Sequence, residues 1–244
     1  MNVTLFGAEA HTLKPLIQDQ PSLTLTEDPG DPGDVIICYG GDGTLLSAEL
    51  KWPNIPKIPL RNSRRGFRCI SDPPDQVIAQ LVENTLIPTE HLKLECQITH
   101  ADSSRSTRNL LAINEFTVHM GHVNAAVRFK IWFDEEPFGD SSDAEIIGDG
   151  FMVSTPFGST AYFNEITRGT FWSGIGVAFM YAREKTNHVV LPEDVMVRAE
   201  ITRGPAILAY DNAEEYVELA QGDRLHIKRF PEPAIILAPK PSDG

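Results

Sequence analysis

The stretch VIICYGGDGT, residues 35–44, decides the fold. Its first five residues are mainly β-branched or otherwise apolar, and glycines follow them at once, which is how a buried parallel strand ends. Residues 44–50 then have a helix-forming composition. Backbone N–H groups at the start of such a helix can approach phosphate oxygens, and glycine leaves the space that this approach requires. The stretch therefore predicts a phosphate-binding loop between a strand and a helix.

Asp42 lies inside this loop. A carboxylate beside phosphates would be repelled unless it serves a purpose, and it could hold Mg²⁺ or accept a proton from an attacking hydroxyl group. The alternative is a tight turn in which Asp42 caps the helix. The loop is not a Walker A loop, because no Gly-Lys-Ser/Thr follows it, and it is not the GxGxxG dinucleotide fingerprint.

The rest of the chain shows two different patterns of polar and apolar residues. Before residue 90, short apolar runs and helical spacing alternate, which indicates an α/β domain. From about residue 91, polar and apolar residues alternate in short segments separated by turn residues, which is typical of a β-sandwich. We expect an α/β nucleotide-binding domain at 1–88 and an all-β domain at 89–244. The expected strands are 3–6, 35–39, 58–60, 92–99, 111–119, 126–133, 195–202 and 224–228, and the expected helices are 44–50 and 76–81.

Composition excludes several classes of protein. The chain of 244 residues is 41% hydrophobic, so it can bury a core, and its net charge of −13 argues against nucleic-acid binding. No apolar run is long enough to span a membrane, and the first residues do not read as a secretion signal. The three cysteines are far apart and predict reduced thiols rather than a disulfide or zinc scaffold. A cytoplasmic protein is expected.

Two further segments carry candidate chemistry. Residues 148–162, GDGFMVSTPFGSTAY, pack hydroxyl residues between turn-formers, and residues 155–160 cannot form a regular helix or a central strand. Such a segment suits a nucleoside, with Tyr162 beside the base. Asn114 and Glu115 follow an apolar run, and adjacent residues on a strand point to opposite faces, so one of the two could be buried and need partners. The alternative for this pair is a strand that emerges at its polar end.

Together these three segments resemble the NAD kinase family. Residues 40–44 match its GGDGT motif, residues 114–115 match its Asn-Glu pair, and residues 148–162 match its DG…STPTGSTAY motif, with Phe157 where Thr or Ser is usual. The resemblance implies an α/β domain followed by a β-sandwich, with the site in the crevice between them. It implies transfer of the γ-phosphoryl group of ATP, or of polyphosphate, to the 2′-hydroxyl of the adenosine ribose of NAD. Mg²⁺ would assist, and the protein would be a homodimer or homotetramer that binds neither nucleic acid nor membrane.

The resemblance also implies roles for individual residues. Asp42 would be the base or orienter of the 2′-hydroxyl, and Gly41, Gly43 and Thr44 would bind phosphate. Asn114 and Glu115 would hold the adenosine portion, Asp149 would reach the nicotinamide end, and Asp211 would close the site from this or a neighbouring subunit. The full substrate-binding set is Phe67, Asn114, Glu115, Asp149, Ser159, Thr160, Ala161, Tyr162 and Asp211. No protein ligand of a metal is implied.

The chain departs from the family pattern at four places. Only 28 residues separate Phe6 from Val35, so the first crossover is short. Residues 61–68, the arginine loop, contain Asn62, Gly66 and Phe67 as in the family, but their four arginines could either bind phosphates or form a solvated loop. Glu165 stands where a small hydroxyl residue normally contacts substrate. The chain ends soon after residues 234–237, where the family often continues with a segment that returns to the first domain. The four arginines are Arg61, Arg64, Arg65 and Arg68.

These departures leave two other hypotheses open. One is a kinase of the same fold that acts on a different nucleoside or sugar, and the other is a nucleotide sensor without turnover. Intact Asp42 and the intact motif at 148–162 favour catalysis, whereas Glu165 and the short first domain favour an altered acceptor. The sequence leaves open whether the donor is ATP, another triphosphate or polyphosphate, and whether the acceptor is NAD or NADH.

Overall fold

The computed structural model describes residues 1–26, 32–64, 66–139, 144–183 and 186–240, so Arg65 of the arginine loop lies outside the described residues. The chain forms two compact units. The first consists of Met1–His91 and a second stretch that begins at Pro233, and the second is Leu92–Glu232. The residues after Pro233 thus belong to the first unit, although the sequence had assigned them to the second domain.

The first unit is an α/β layer built on a parallel sheet. Its strands are β1 (Asn2–Phe6), β2 (Thr24–Leu25), β3 (Val35–Gly40) and β4 (Lys57–Arg61), paired in the order β2-β1-β3-β4. Its helices are α1 (Lys14–Gln18), which follows a 3₁₀ turn at Ala10–Leu13, α2 (Asp42–Lys51) and α3 (Pro74–Val82). The strands expected at 3–6, 35–39 and 58–60 and the helices expected at 44–50 and 76–81 are confirmed.

Burial explains these elements. Residues 35–38 of β3 are all buried because β3 lies between two neighbouring strands and is covered on its faces. Helix α3 buries Val77, Ile78 and Leu81, the apolar residues at helical spacing. The Lys57 ammonium donates to a carboxylate oxygen of Glu49 and to the carbonyl oxygen of Trp52, just past the end of α2. This buried contact ties the C-terminal end of α2 to the start of β4.

The second unit contains most of the strands. They are β5 (Ile87–Thr99), β6 (Arg108–Ala112), β7 (Glu115–Met120), β8 (Val127–Phe133), β9 (Glu136–Phe138), β10 (Ile146–Gly148), β11 (Gly150–Ser154), β12 (Ile175–Met180), β13 (His188–Leu191), β14 (Val197–Arg203), β15 (Ala206–Tyr210), β16 (Val217–Leu219) and β17 (Arg224–Ala238). The unit boundary falls within β5 and β17. The last part of β17 pairs in parallel with β4 through Ile236 and Lys57, inside the first unit.

Two antiparallel layers make this unit a β-sandwich. One sheet has the order β13-β12-β11-β7-β15-β16, and the other contains β10-β8-β14-β17 with β5, β6 and β9 paired alongside. A single buried cluster contains side chains from both layers, among them Phe116, Phe129, Phe151 and Ile201. An α/β domain followed by a β-sandwich, the fold class expected from the sequence, is confirmed.

The outer face of the six-stranded sheet is partly covered. Helix α4 (Tyr162–Thr167), which follows a 3₁₀ turn at Gly158–Thr160, packs Phe163 with Met152 of β11 and Ala178 of β12. Both faces of β11 and β12 are therefore buried. Among the described helices, none is long and apolar enough to cross a membrane.

Candidate functional site

The glycine loop, residues 40–44, joins β3 directly to α2. Helix α2 begins at Asp42 with Gly41 as its N-cap, and the Thr44 N–H donates to the Gly41 carbonyl at 2.9 Å. Thr44 folds back so closely that a Cβ on Gly40 would overlap its side chain. The first N–H groups of a helix have no partner within the helix, and they favour an anion. The sequence placed this loop correctly between strand and helix.

Asp42 is held by the arginine loop. Its Oδ2 accepts the Phe67 N–H and its Oδ1 accepts the Arg68 N–H, both at 2.9 Å. The Cys69 thiol lies 3.4 Å from Oδ1. Burial and the neighbouring Asp42 carboxylate raise the pKa of Cys69 to about 12, so this thiol stays protonated and donates. The carboxylate is thereby fixed at the first turn of α2.

The arginine loop itself is attached to the glycine loop at a further point. The Asn62 N–H donates to the Gly40 carbonyl at 2.8 Å. Arg61 and Arg64 are exposed, and the Phe67 side chain is 84% exposed. Burial lowers the pKa of Arg68, and the charge of Asp42 opposes that change. The structure therefore brings Asp42, Gly41, Gly43, Thr44 and Phe67 together in the first unit.

Asn114 and Glu115 do not lie together on one strand, and the strand expected over 111–119 is wrong. Strand β6 ends at Ala112 in one sheet, and β7 begins at Glu115 in the other. Asn114 lies in the crossing between the two sheets, where its carbonyl accepts the Thr155 N–H at 2.9 Å. The break arises because the chain changes sheets here, which an alternating pattern does not reveal.

Asp211 organises this crossing. Its carboxylate accepts the N–H groups of Ile113 at 2.8 Å, Asn114 at 2.7 Å and Glu115 at 3.3 Å. Asp211 has a positive φ of 41°, and its own N–H donates to the Glu115 carbonyl at 3.2 Å. The residue thus contacts the Asn114–Glu115 segment of its own chain, directly after β15.

Glu115 is buried beside that carboxylate. Burial, and secondarily the charge of Asp211, raise its pKa to about 8, so Glu115 is largely protonated at neutral pH. Its Oε2 has no hydrogen-bond partner among the described residues. A buried carboxyl oxygen in this state is costly unless a ligand or water supplies a hydrogen bond.

The segment after β11 packs against the same crossing. The Thr155 hydroxyl contacts the Ile113 carbonyl at 2.5 Å and accepts the Gly158 N–H at 3.0 Å. A Cβ on Gly158 would overlap the backbone of Asn114. Ser159 is buried, and its hydroxyl contacts the Phe171 carbonyl at 3.0 Å. Thr155 and Ser159 belong to the hydroxyl residues that the sequence singled out, and both hydroxyls make their hydrogen bonds within the protein.

A cavity of about 520 Å³ lies beside α4 on the outer face of the six-stranded sheet, and we call it the tyrosine pocket. Tyr162, Asp149, Glu165, His119 and Tyr181 line it. The His119 and Tyr162 rings stack with their centroids 6.2 Å apart. Burial lowers the pKa of His119, and the Asp149 charge opposes that change. The volume is in the range of about 300–1,000 Å³ that small-molecule sites occupy.

Sequence reasoning identified some of these residues and missed others. Asp149 and Tyr162 were singled out, and they share one pocket. Thr160 and Ala161 immediately precede Tyr162 at the start of α4. His119 and Tyr181 were not singled out. His119 directly follows the apolar Val118, and neighbouring residues on a strand point to opposite faces, so its side chain could have been expected on the face away from the core.

Two curated relatives of this chain are named NAD kinase. The chain is 29% identical over 222 residues to an NAD kinase of Gemmatimonas aurantiaca, which covers 87% of this chain and 74% of that protein. It is 34% identical over 158 residues to an NAD kinase of Salmonella dublin, which covers 63% of this chain. The aligned stretch spans half the length of the Salmonella protein. No protein-family model matches the chain.

Solved structures give the same fold. A crystal structure of yeast NADH kinase complexed with NADH superposes with a TM-score of 0.82 at 18% identity, over 100% of this chain and 84% of that one. An NAD kinase from Archaeoglobus fulgidus in complex with ATP superposes with a TM-score of 0.78 at 17% identity, over 98% and 94% of the two chains. The protein therefore shares the fold of these two kinases. With these curated relatives and its three motifs, the chain is similar to the NAD kinase family.

Proposed function

We propose that this protein is an enzyme that transfers the γ-phosphoryl group of ATP to the 2′-hydroxyl of the adenosine ribose of NAD, giving NADP and ADP. The observation that carries the proposal is the position of Asp42. Two backbone N–H groups hold its carboxylate at the N-terminus of α2, directly after β3. An enzyme of this class needs a fixed carboxylate next to bound phosphates.

The chemistry follows from the oxygens of Asp42. A carboxylate has about four lone-pair positions, and the contacts with Phe67, Arg68 and Cys69 use three of them. The remaining position would accept the proton of the 2′-hydroxyl. The ribose oxygen would then form a bond to the γ-phosphorus while the bond to the bridging oxygen breaks, and ADP would leave in line with the attack.

The substrate would be held by the second unit. Glu115 presents a buried carboxyl oxygen without a partner among the described residues, which suits a hydrogen bond to a ribose or base. Tyr162 and Asp149 in the tyrosine pocket would contact the dinucleotide, with the exposed Tyr162 ring beside a base. Base–aromatic contacts contribute about 1–3 kcal/mol in single-strand stacking, which gives the scale expected here.

Mg²⁺ would come with the donor rather than from a dedicated protein site. In the part of the chain that the structure describes, no group of three or more His, Cys, Asp or Glu side chains is placed to hold a metal. This composition suits Mg²⁺, which keeps several waters and binds substrate phosphates through one or two carboxylates. Because the remaining position of Asp42 is assigned to the 2′-hydroxyl proton, the ion would be held by substrate phosphates and waters, and it would neutralise phosphate charge during transfer.

We further propose that the protein acts in the cytoplasm as a homodimer or homotetramer, with NAD and ATP as its small-molecule partners. The support is the resemblance of its motifs to the NAD kinase family and the similarity to curated NAD kinases. Light scattering coupled to size-exclusion chromatography would measure the subunit number. A monomer at micromolar concentration would contradict the assembly proposed.

The experiment that tests the activity is an assay of the purified chain with ATP, Mg²⁺ and NAD, with NADP read through an NADP-specific dehydrogenase. NADP should accumulate in step with ADP. Parallel reactions with polyphosphate and with NADH would define the donor and the acceptor. Retained ATP binding with no NADP from either donor would overturn the proposal.

A further inference from the structure

A second cavity, of about 620 Å³, lies in the second unit, and we call it the β16 pocket. It is formed by the end of β16 and the turn to β17, the approach to β15, the residues after β7, and Arg105 from the loop between β5 and β6. Its volume is in the range of about 300–1,000 Å³ that small ligands occupy. It shares no residue with the glycine loop or the tyrosine pocket.

Arg105 is held in position within this pocket. Its Nη2 donates to the Glu218 carbonyl at 2.8 Å, and its Nη1 lies 3.4 Å from Asp223 Oδ2. Asp223 is itself buried, and it accepts the N–H groups of Ala101 at 2.9 Å and Ala220 at 3.0 Å. A guanidinium group has five N–H donors. Because these contacts engage one edge of a half-exposed side chain, other donors remain available to a ligand.

Arg203 and His122 supply the rest of the basic lining. Arg203 is exposed and has no ion pair among the described residues. The register between β8 and β14 shifts between Ile201 and Arg203, and such bulges re-aim side chains next to functional sites. Glu218 is the one acidic residue among the described lining. Asp223 offsets part of the charge of Arg105, so Arg203 supplies most of the positive charge that this lining offers to an anion.

An aromatic ring completes the pocket. Tyr216 lines it with 56% of its surface exposed, and Pro205 adds an apolar wall. An exposed tyrosine ring can pack against a flat heterocycle, while arginine forks match phosphate oxygens. The pocket therefore pairs an anion-binding part with a ring-binding part.

We propose that the β16 pocket binds a phosphate-bearing nucleotide as an additional ligand of this protein. Arg203 and Arg105 bind the phosphate oxygens through charge-assisted hydrogen bonds, and Tyr216 packs against the base. The proposal is independent of the transfer reaction, because the pocket has its own residues. A simple phosphate would use the arginines alone, so ring recognition separates a nucleotide from a free phosphate.

Amide-resolved NMR on the full chain tests this proposal. ADP, pyrophosphate and adenosine are titrated separately without Mg²⁺, and the resonances of Gly121, Ala206 and Gln221 report on the pocket. We expect saturable shifts with ADP, weaker binding of pyrophosphate, and no shift with adenosine. Resonances of the glycine loop are followed at the same time, so that binding of ADP there is measured separately.

Arg203→Gln should raise the dissociation constant of ADP at the pocket about tenfold, because it removes a charge-assisted contact. Arg203→Lys keeps the charge but not the forked guanidinium group, so its dissociation constant for ADP should lie between those of the parent protein and Arg203→Gln. Arg224→Gln is the matched control, since it removes another exposed arginine, one that pairs with Glu200 at 3.0 Å. No saturable shift at millimolar ADP, equal affinity for pyrophosphate, or equal losses in the Arg203 and Arg224 variants would each overturn the proposal.

Discussion

Two carboxyl groups near the candidate chemistry have opposite environments. Asp42 receives two backbone N–H donors at 2.9 Å. Glu115 is buried next to Asp211, and its pKa rises to about 8. The sequence placed both residues in the site by their motifs. It could not reveal the difference between them, because the donors to Asp42 come from the arginine loop and the neighbour of Glu115 comes from β15, both distant in sequence.

Asp42→Asn should lower kcat for NADP formation by about 100-fold or more, which is the scale of general base catalysis. The dissociation constant for ATP should change much less, since the backbone of the glycine loop is retained. Asparagine turns an NH₂ group toward one of the two N–H donors, so a stability loss of about 1–3 kcal/mol is also expected.

Steady-state kinetics and equilibrium ATP binding separate these two effects of the Asp42 substitution. Asp34→Asn is the matched control, because Asp34 also accepts a backbone N–H, from Asn2 at 2.7 Å. A normal kcat in Asp42→Asn would remove Asp42 from the proposed proton transfer. An equal loss in both variants would assign the effect to general stability.

Glu115→Gln should change the pH dependence of stability. The folded-state pKa of about 8 lies above the ordinary value of 4.5. Between these values the folded state keeps a proton that the unfolded chain has lost, so the free energy of unfolding falls as pH rises, and the effect is complete above the folded pKa. Glutamine cannot ionise, so the variant should gain stability relative to the parent protein as pH rises from about 5 to about 8.

Urea unfolding of both proteins across that pH range measures the effect of Glu115→Gln. Glu232→Gln, at an exposed position, is the control and should give a curve parallel to that of the parent. Parallel curves for Glu115→Gln as well would mean that Glu115 titrates near its ordinary pKa in the folded protein.

At the scale of elements, the sequence identified the strands that alternate and missed those that do not. Strands β5, β8 and β14 each have one buried face, and their segments were expected from the pattern. Strands β11 and β12 are buried on both faces, by the sandwich core and by α4, so their residues do not alternate. The break between β6 and β7 was missed for a related reason, since the side chain that creates it, Asp211, lies about 100 residues away.

Asp211→Ala should destabilise this crossing between the sheets. It removes the acceptor for three backbone N–H groups in a partly buried place, and hydrogen bonds to charged groups contribute about 1.5–3 kcal/mol each. Because such contributions are not additive, we expect a total loss of about 3 kcal/mol in the free energy of unfolding. Asp211→Asn keeps one acceptor oxygen and should lose less.

Urea unfolding at constant pH measures the loss in the Asp211 variants, and Asp194→Ala, at an exposed loop position, serves as the control. The pKa of Glu115 should fall in both Asp211 variants, because a neighbouring negative charge is removed. A stability loss below about 1 kcal/mol in Asp211→Ala would show that water replaces the carboxylate without difficulty.

At the scale of the whole molecule, the first unit is built from both ends of the chain. The sequence predicts a domain boundary at 88/89 from a change in the pattern of apolar residues. It could not show the return of the chain, because β17 runs from Arg224 to Ala238 as one continuous strand through both units. The pairing of Ile236 with Lys57 and the packing of Leu237 against the cluster that contains Ile37 tie this last stretch to the first unit.

A chain truncated after Glu232 should therefore lose stability in the first unit and not in the second. The deletion removes buried Ala234 and Ile236, takes Leu237 from the cluster that contains Ile37 and Ile58, and leaves β4 paired with β3 but not with β17. Loss of one buried aliphatic side chain alone costs about 2–5 kcal/mol.

Hydrogen exchange measures the two units separately, with the amides of β3 reporting on the first and those of β12 on the second. We expect faster exchange in β3 with β12 nearly unchanged, and a chain truncated after Lys240 should exchange like the full chain. Unchanged protection of β3 after the longer truncation would mean that the first unit is complete without β17.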